Sequence, residues 1–210
     1  GIERASLVGH SVGGAVSMQF AIQFPEQVDR LVLVDNFGLG KEVSLLLRLL
    51  TLPRIGEWLS RPSRKGTAQL WEEAFFDPAL VTEEWVELYY ELDCLPGNQE
   101  SMLATLRSLA TLRGIRDEVL ALIRDNLERI TVPTLVVWGQ QDSLMPVEHA
   151  QVAQSGIPGA KVHIFDRCGH MPQMEHPEAF NALVREFLIV EGMILRDHRR
   201  KKRQVAKRFG

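Results

Sequence analysis

LVGHSVGGAVSMQFA, residues 7–21, decides how the rest of the chain is read. Ser11 sits at a cramped joint, with Gly9 two positions before it and Gly13 and Gly14 after it. An apolar strand-like segment (Ala5, Ser6, Leu7, Val8) leads in, and a helix-like one (Val12 to Phe24) leads out. Two readings fit. In the first, glycines permit an ordinary strand-to-helix turn and the serine helps to cap the helix. In the second, G-x-S-x-G is a nucleophile elbow that holds the serine on a strained turn with its Oγ projecting over the sheet. The flanking glycines then let strand and helix pack closely, and the next amide points to where an oxyanion develops. The five-letter pattern alone is weak. The strand before it and the helix after it are the context the second reading demands, and they favour it.

Outward from the elbow, Val12 to Phe24 is apolar on most sides, with Ser17, Gln19 and Gln23 as a polar strip; this predicts a well-buried helix stopped at Pro25. LVLVD (31–35) is a continuous apolar run of the kind that a parallel strand covered on both faces shows. TLVVWG (134–139), announced by Pro133, and VHIF (162–165) are two further strands. Phe180, Leu183, Val184, Phe187 and Leu188 recur with helical spacing and predict a closing helix with one face on the sheet. Between Phe37 and about Arg129 the pattern is helical and irregular, punctuated by Pro53, Pro62, Pro78 and Pro96. The expected fold class is α/β: a mostly parallel sheet with flanking helices and an inserted helical cap. The segments run 1–36 (core), 37–129 (cap), 130–190 (core) and 191–210 (basic tail).

A serine nucleophile needs a base, and the base needs an orienting acid, so the ends of the later strands are the places to look. Asp142 follows TLVVWG in QQDSLMP, and His170 follows VHIF in DRCGHMPQMEHPEAF. Asp35 also ends a strand and is the rival acid; Asp142 is preferred. Asp166, four residues from His170, reads as a turn or surface residue. His10, His149, His163, His176 and His198 lack the glycine-flexed loop after a strand that Gly169-His170 has. Cys168 with His170 makes a poor metal site, because no further Cys or His cluster completes it. No metal and no cofactor is expected.

Composition limits the partners. The chain has 210 residues, 45% hydrophobic and 24% charged, which suits one main globular core with room for a subdomain. Two cysteines, Cys94 and Cys168, make no disulfide framework, and a reducing, cytoplasmic setting is the simpler expectation. Val43 to Leu52 is too short to span a bilayer and is interrupted by Arg48. From Arg196 onward eight Lys or Arg stand against one Asp, so a chain of net charge −3 has a body of net charge −10. Such a body does not hold nucleic acid; the tail is a solvated end, with contact to an anionic partner as its alternative.

GHSVGG, WGQQDSLMP and GHMPQMEHPEAF together resemble the α/β-hydrolase superfamily, in its branch with a helical cap. The resemblance implies Ser11 as nucleophile, His170 as general base then acid, Asp142 as the residue fixing the imidazole, and the backbone N–H of Val12 as one oxyanion donor. FDPALVTEE and CGHMPQMEHPEAFN are similar to the carbon–carbon bond hydrolases of ring-fission products. That group commonly has a tryptophan after the histidine, where Met171 stands here, and a cap arginine near ELYYEL, where this chain shows Tyr89 and Tyr90. The resemblance therefore implies an esterase acting on a small apolar ester. A diketone-cleaving carbon–carbon hydrolase and a non-catalytic binding module are the alternatives. Relatives begin with further strands and a loop with an HG dipeptide that gives a second oxyanion donor. Gly1 and IERASLVGHS enter almost directly on the elbow strand, so the chain is expected to be N-terminally truncated and poorly active alone.

Overall fold

The computed structural model describes residues 1–190; the basic tail expected at 191–210 lies outside the described residues. In chain order the first elements are β1 (Ala5–His10), α1 (Val12–Gln23) and β2 (Val28–Val34). A helical stretch follows: α2 (Leu45–Leu50), α3 (Ile55–Leu59), α4 (Arg64–Ala74), α5 (Glu83–Asp93) and α6 (Asn98–Leu109). The short strands β3 (Ala110–Thr111) and β4 (Gly114–Ile115) lead to α7 (Asp117–Ile123). The chain then returns through β5 (Thr134–Gly139), α8 (Glu148–Gly156), β6 (Lys161–Phe165), α9 (Pro172–Glu175) and α10 (Pro177–Arg185).

β1, β2, β5 and β6 pair in that order into one parallel sheet. The continuous apolar runs are explained by cover on both faces. Val32, Val34, Leu135, Val137 and Phe165 pack with Phe180, Leu183 and Val184 of α10 and with Phe187. Leu31, Leu33, Val136 and Trp138 point the other way, onto Ala15, Met18, Ala21 and Ile22 of α1 and Ala150 and Ala153 of α8. Burying one such aliphatic side chain contributes about 1.5–3 kcal/mol, so both faces hold the strands in register.

The expectation of an α1 buried on most sides is corrected. Met18, Ala21 and Ile22 are buried, but Val16 is 64% exposed and Val12 and Phe24 are exposed. The reason is position: α1 packs beside β1, the first strand in the sheet order, whose outer edge no other described strand pairs. Val8 on that strand is 52% exposed for the same reason.

The stretch between β2 and β5 is mostly helical, as its pattern predicts, and Ser63 and Thr82 cap α4 and α5 by accepting from the backbone N–H groups of Gly66 and Trp85. Trp71, Trp85 and Tyr89 pack ring on ring, with centroids 4.4–5.3 Å apart. The β3–β4 hairpin inside it is not foreseen, since two-residue strands leave no periodicity to read. Gly114, the first residue of β4, has φ +102, and an added Cβ there would strike the Lys41 carbonyl at 2.1 Å. Both cysteines are free, and no helix among the described residues is long and apolar enough to cross a membrane.

Candidate active site

β1 ends at His10, and Ser11 follows with φ 53 and ψ −121. Four non-glycine residues among those described have positive φ, and three of them follow core strands: Ser11 after β1, Asp35 (φ 44) after β2, and Arg167 (φ 53) after β6. Such conformations cost of order 1–3 kcal/mol each and persist where the surroundings enforce them. At Ser11 the enforcement is visible. Its N–H donates to the Val34 carbonyl (2.9 Å), and its own carbonyl accepts from Gly14 (3.0 Å) and Phe37 (3.1 Å). A Cβ at Gly9 would lie 2.6 Å from the Gly13 carbonyl oxygen, so strand and helix meet this closely only with glycine there. The Ser11 side chain makes no capping hydrogen bond to α1. The plain-turn reading of the serine therefore loses its physical reason, and the hydroxyl is left for something else. Val12 opens α1, where N–H groups of the first turn lack intrahelical acceptors and the helix dipole favours negative charge.

The loops after β5 and β6 carry the other two candidates. Asp142 is buried; its Oδ1 accepts from the N–H groups of Leu144 (2.8 Å) and Met145 (3.0 Å), and its Oδ2 accepts from His170 Nδ1 at 2.7 Å. In a neutral imidazole that bond places the proton on Nδ1 and leaves a lone pair on Nε2, the state a general base requires. The two loops are knitted together: Gln141 N–H donates to the Cys168 carbonyl (2.9 Å), and Cys168 N–H to Gln141 Oε1 (3.0 Å). The helical insertion holds them from above. His170 N–H donates to the Ala74 carbonyl (2.7 Å), and Ser143 Oγ to the Glu73 carbonyl (2.6 Å). Glu175 accepts from Gly169 N–H (2.7 Å) with one carboxylate oxygen and from Phe76 N–H (2.8 Å) with the other.

His10 is brought into the site although its sequence context gave no reason to expect it. Its Nε2–H donates to the His170 carbonyl at 2.7 Å, and the two rings lie 4.7 Å apart. Burial, then the neighbouring His170, lower its pKa to about 4, so it is neutral at ordinary pH. The available signal was its place next to Ser11 at a strand's C-terminal end. Asp35 is buried against this cluster with Oδ1 accepting from Gly139 N–H (2.9 Å). Asp166 is exposed and accepts from Gln141 Nε2 (3.2 Å). Burial and Glu175 push the Cys168 thiol far up, away from nucleophile character.

Asp35, Asp142 and His170 form a buried group whose ligand atoms lie within 4.8 Å of one another, the spacing a metal ion could use. The short Nδ1–Oδ2 hydrogen bond already engages Asp142 and His170 with each other.

Gly139 is the packing hinge between the two loops. A Cβ there would meet the backbone carbonyls of Gly169 at 1.9 Å and Cys168 at 2.6 Å, atoms that cannot swing aside. Gly139→Ala is expected to lower stability by about 1–3 kcal/mol in urea unfolding, the usual cost of overpacking. A variant as stable as its parent would contradict this packing.

The alpha/beta hydrolase family model matches residues 1–183. The chain is 31% identical over 189 residues to a 2-hydroxy-6-oxononadienedioate/2-hydroxy-6-oxononatrienedioate hydrolase of Comamonas testosteroni, covering 90% of this chain and 64% of that protein. A meta-cleavage product hydrolase from Pseudomonas fluorescens superposes with TM-score 0.74 at 30% identity, covering 89% of this chain and 65% of that one. A bacterial membrane phospholipase A superposes with TM-score 0.71 at 26% identity, covering 90% and 57%. In each case the chain spans less than two thirds of the relative's length. The family model covers the parallel sheet together with the serine joint and the loops after β5 and β6, and the chain belongs to the alpha/beta hydrolase family.

Proposed function

We propose that the protein is a serine hydrolase in which Ser11 Oγ attacks a substrate carbonyl while His170 Nε2 takes its proton. Asp142 holds the imidazole in the required tautomer and balances the charge it acquires. The N–H of Val12 stabilises the oxyanion of the tetrahedral intermediate. His170 then returns the proton to the leaving group, and a water activated by the same imidazole releases the acid from the serine ester. The observation that carries this reading is the buried 2.7 Å bond from His170 Nδ1 to Asp142, in a loop hydrogen-bonded to His10, the residue before a serine at φ 53.

For the substrate, we propose a small ester of an apolar acid. Trp71, Trp85 and Tyr89 pack largely on each other, but the insertion that carries them is hydrogen-bonded to the His170 loop, and its Trp71, Ala74 and Phe75 share an apolar cluster with Met171. Met171 follows the histidine where the carbon–carbon hydrolases commonly have tryptophan, and Tyr89 and Tyr90 stand near the place of their cap arginine, which speaks against a carboxylate-bearing dienone. Cleavage of a ring-fission diketone remains the second reading, supported by the names of the relatives above. The protein made from its complete coding sequence is expected to be labelled by a fluorophosphonate at Ser11, mapped by mass spectrometry, and to hydrolyse p-nitrophenyl esters. Labelling elsewhere, or none, would overturn the mechanism. Faster turnover of a vinylogous 1,5-diketone than of the esters would replace the first substrate class by the second.

A further inference from the structure

The carboxyl of Asp35 takes no part in the steps above, yet it lies fully buried beside the groups that do. Its Oδ1 accepts from Gly139 N–H, while its Oδ2, equally inaccessible to water, has no hydrogen-bond partner as an ionised oxygen. Two carboxylates this close in a protein interior cannot both be charged. The donors decide which one is. Asp142 receives three N–H bonds, from Leu144, Met145 and His170; Asp35 receives one. The negative charge belongs on Asp142, and a proton on Asp35 gives its stranded oxygen a partner.

We infer that Asp35 is a positioning residue of this site: it keeps its proton and donates it from Oδ2 to the Asp142 carboxylate, steadying the acid that orients His170. The inference rests on the proposed roles of Ser11, Asp142 and His170. Burial first, and then the Asp142 charge, push Asp35 well above the ordinary carboxylate range, in keeping with the assignment. The surrounding titratable groups agree. Glu175 opposes a further negative charge on Asp35, Cys168 stays a thiol, and His10 is neutral and supplies no cation.

The linkage has a definite sign. The raised value contributes stability that is whole below the ordinary carboxyl value of 3.8 and is lost as pH rises toward the folded one. Asp35→Asn cannot ionise, so its Tm should gain on the parent's as pH rises from that value.

The deciding experiment uses the protein from its complete coding sequence. Infrared difference spectra of parent against Asp35→Asn should show the carbonyl stretch of a protonated carboxyl that the variant lacks. Asn keeps a neutral donor, so the acid limb of the fluorophosphonate labelling rate should stay in place. Asp35→Leu, which removes the donor, should slow labelling about tenfold, the effect of one lost hydrogen bond. If Asp35 is instead ionised, the carboxyl band is absent and Asp35→Asn moves the acid limb down by about one pH unit or more, because a charge favouring the imidazolium is gone. Either result would overturn the inference. Failure of the triad reading looks different: Ser11 goes unlabelled, while the infrared band still reports on Asp35.

Discussion

Ser11→Ala is expected to abolish fluorophosphonate labelling and to lower turnover by up to about 10⁶, the scale of losing the nucleophile in a serine hydrolase. The fold should survive it. The Ser11 side chain caps nothing, and the hydrogen bonds that hold the joint are made by its backbone. Alanine sits at φ 53 with the same steric strain as serine, so the unfolding midpoint should barely move. Ser11→Gly makes the point from the other side. It should be as inactive but more stable, by about 1 kcal/mol, because glycine relaxes a conformation that other residues resist. Loss of activity with stability kept or gained separates chemistry from folding. Turnover by Ser11→Ala near that of the parent would remove Ser11 from the mechanism.

Asp142→Asn should cost about 10⁴ in kcat, the scale of presenting a histidine base in the wrong tautomer. An amide nitrogen in place of Oδ2 donates to Nδ1 rather than accepting from it, and the proton moves to Nε2, where it blocks removal of the Ser11 proton. The Oδ1 oxygen is kept, so the turn it holds through Leu144 and Met145 should stay folded. Asp35→Asn should cost far less, since it exchanges one neutral donor for another. The comparison is made by kcat of both variants at one pH with folded fractions matched. A larger loss at Asp35 would move the orienting acid to the end of β2.

Much of the core was legible because it obeys local rules. Thr134–Gly139 reads as a buried strand and is one, and LVLV pairs as a doubly covered run requires. β2 starts earlier than the hydrophobic run, at Val28, because Arg30 is buried with its guanidinium over the Phe187 ring, a contact no local pattern announces. Ser11, Asp142 and His170 could be singled out as candidates because each follows a readable strand. The approach of His10 to His170, 160 positions apart in sequence, could not, since neither residue's neighbours encode it. Nor could the closeness of Asp35 to Asp142: the two acids were weighed as rivals, and their sharing one pocket is a property of the sheet, which sets β2 beside β5.

The way the helical insertion is moored has an evolutionary consequence. Each hydrogen bond described between it and the loops below uses its main chain: the carbonyls of Glu73 and Ala74, and the N–H of Phe76. Main-chain groups are the same in every residue but proline. Exposed side chains in this part of the insertion can therefore be exchanged without untying it, while buried Ala74 and Phe75 are held by packing, and the residues that receive it, Ser143, His170 and Glu175, stay on the side of the proposed triad. Selection for a new substrate can rewrite the upper wall and leave the seating intact. Specificity is free to drift quickly over chemistry that stands still.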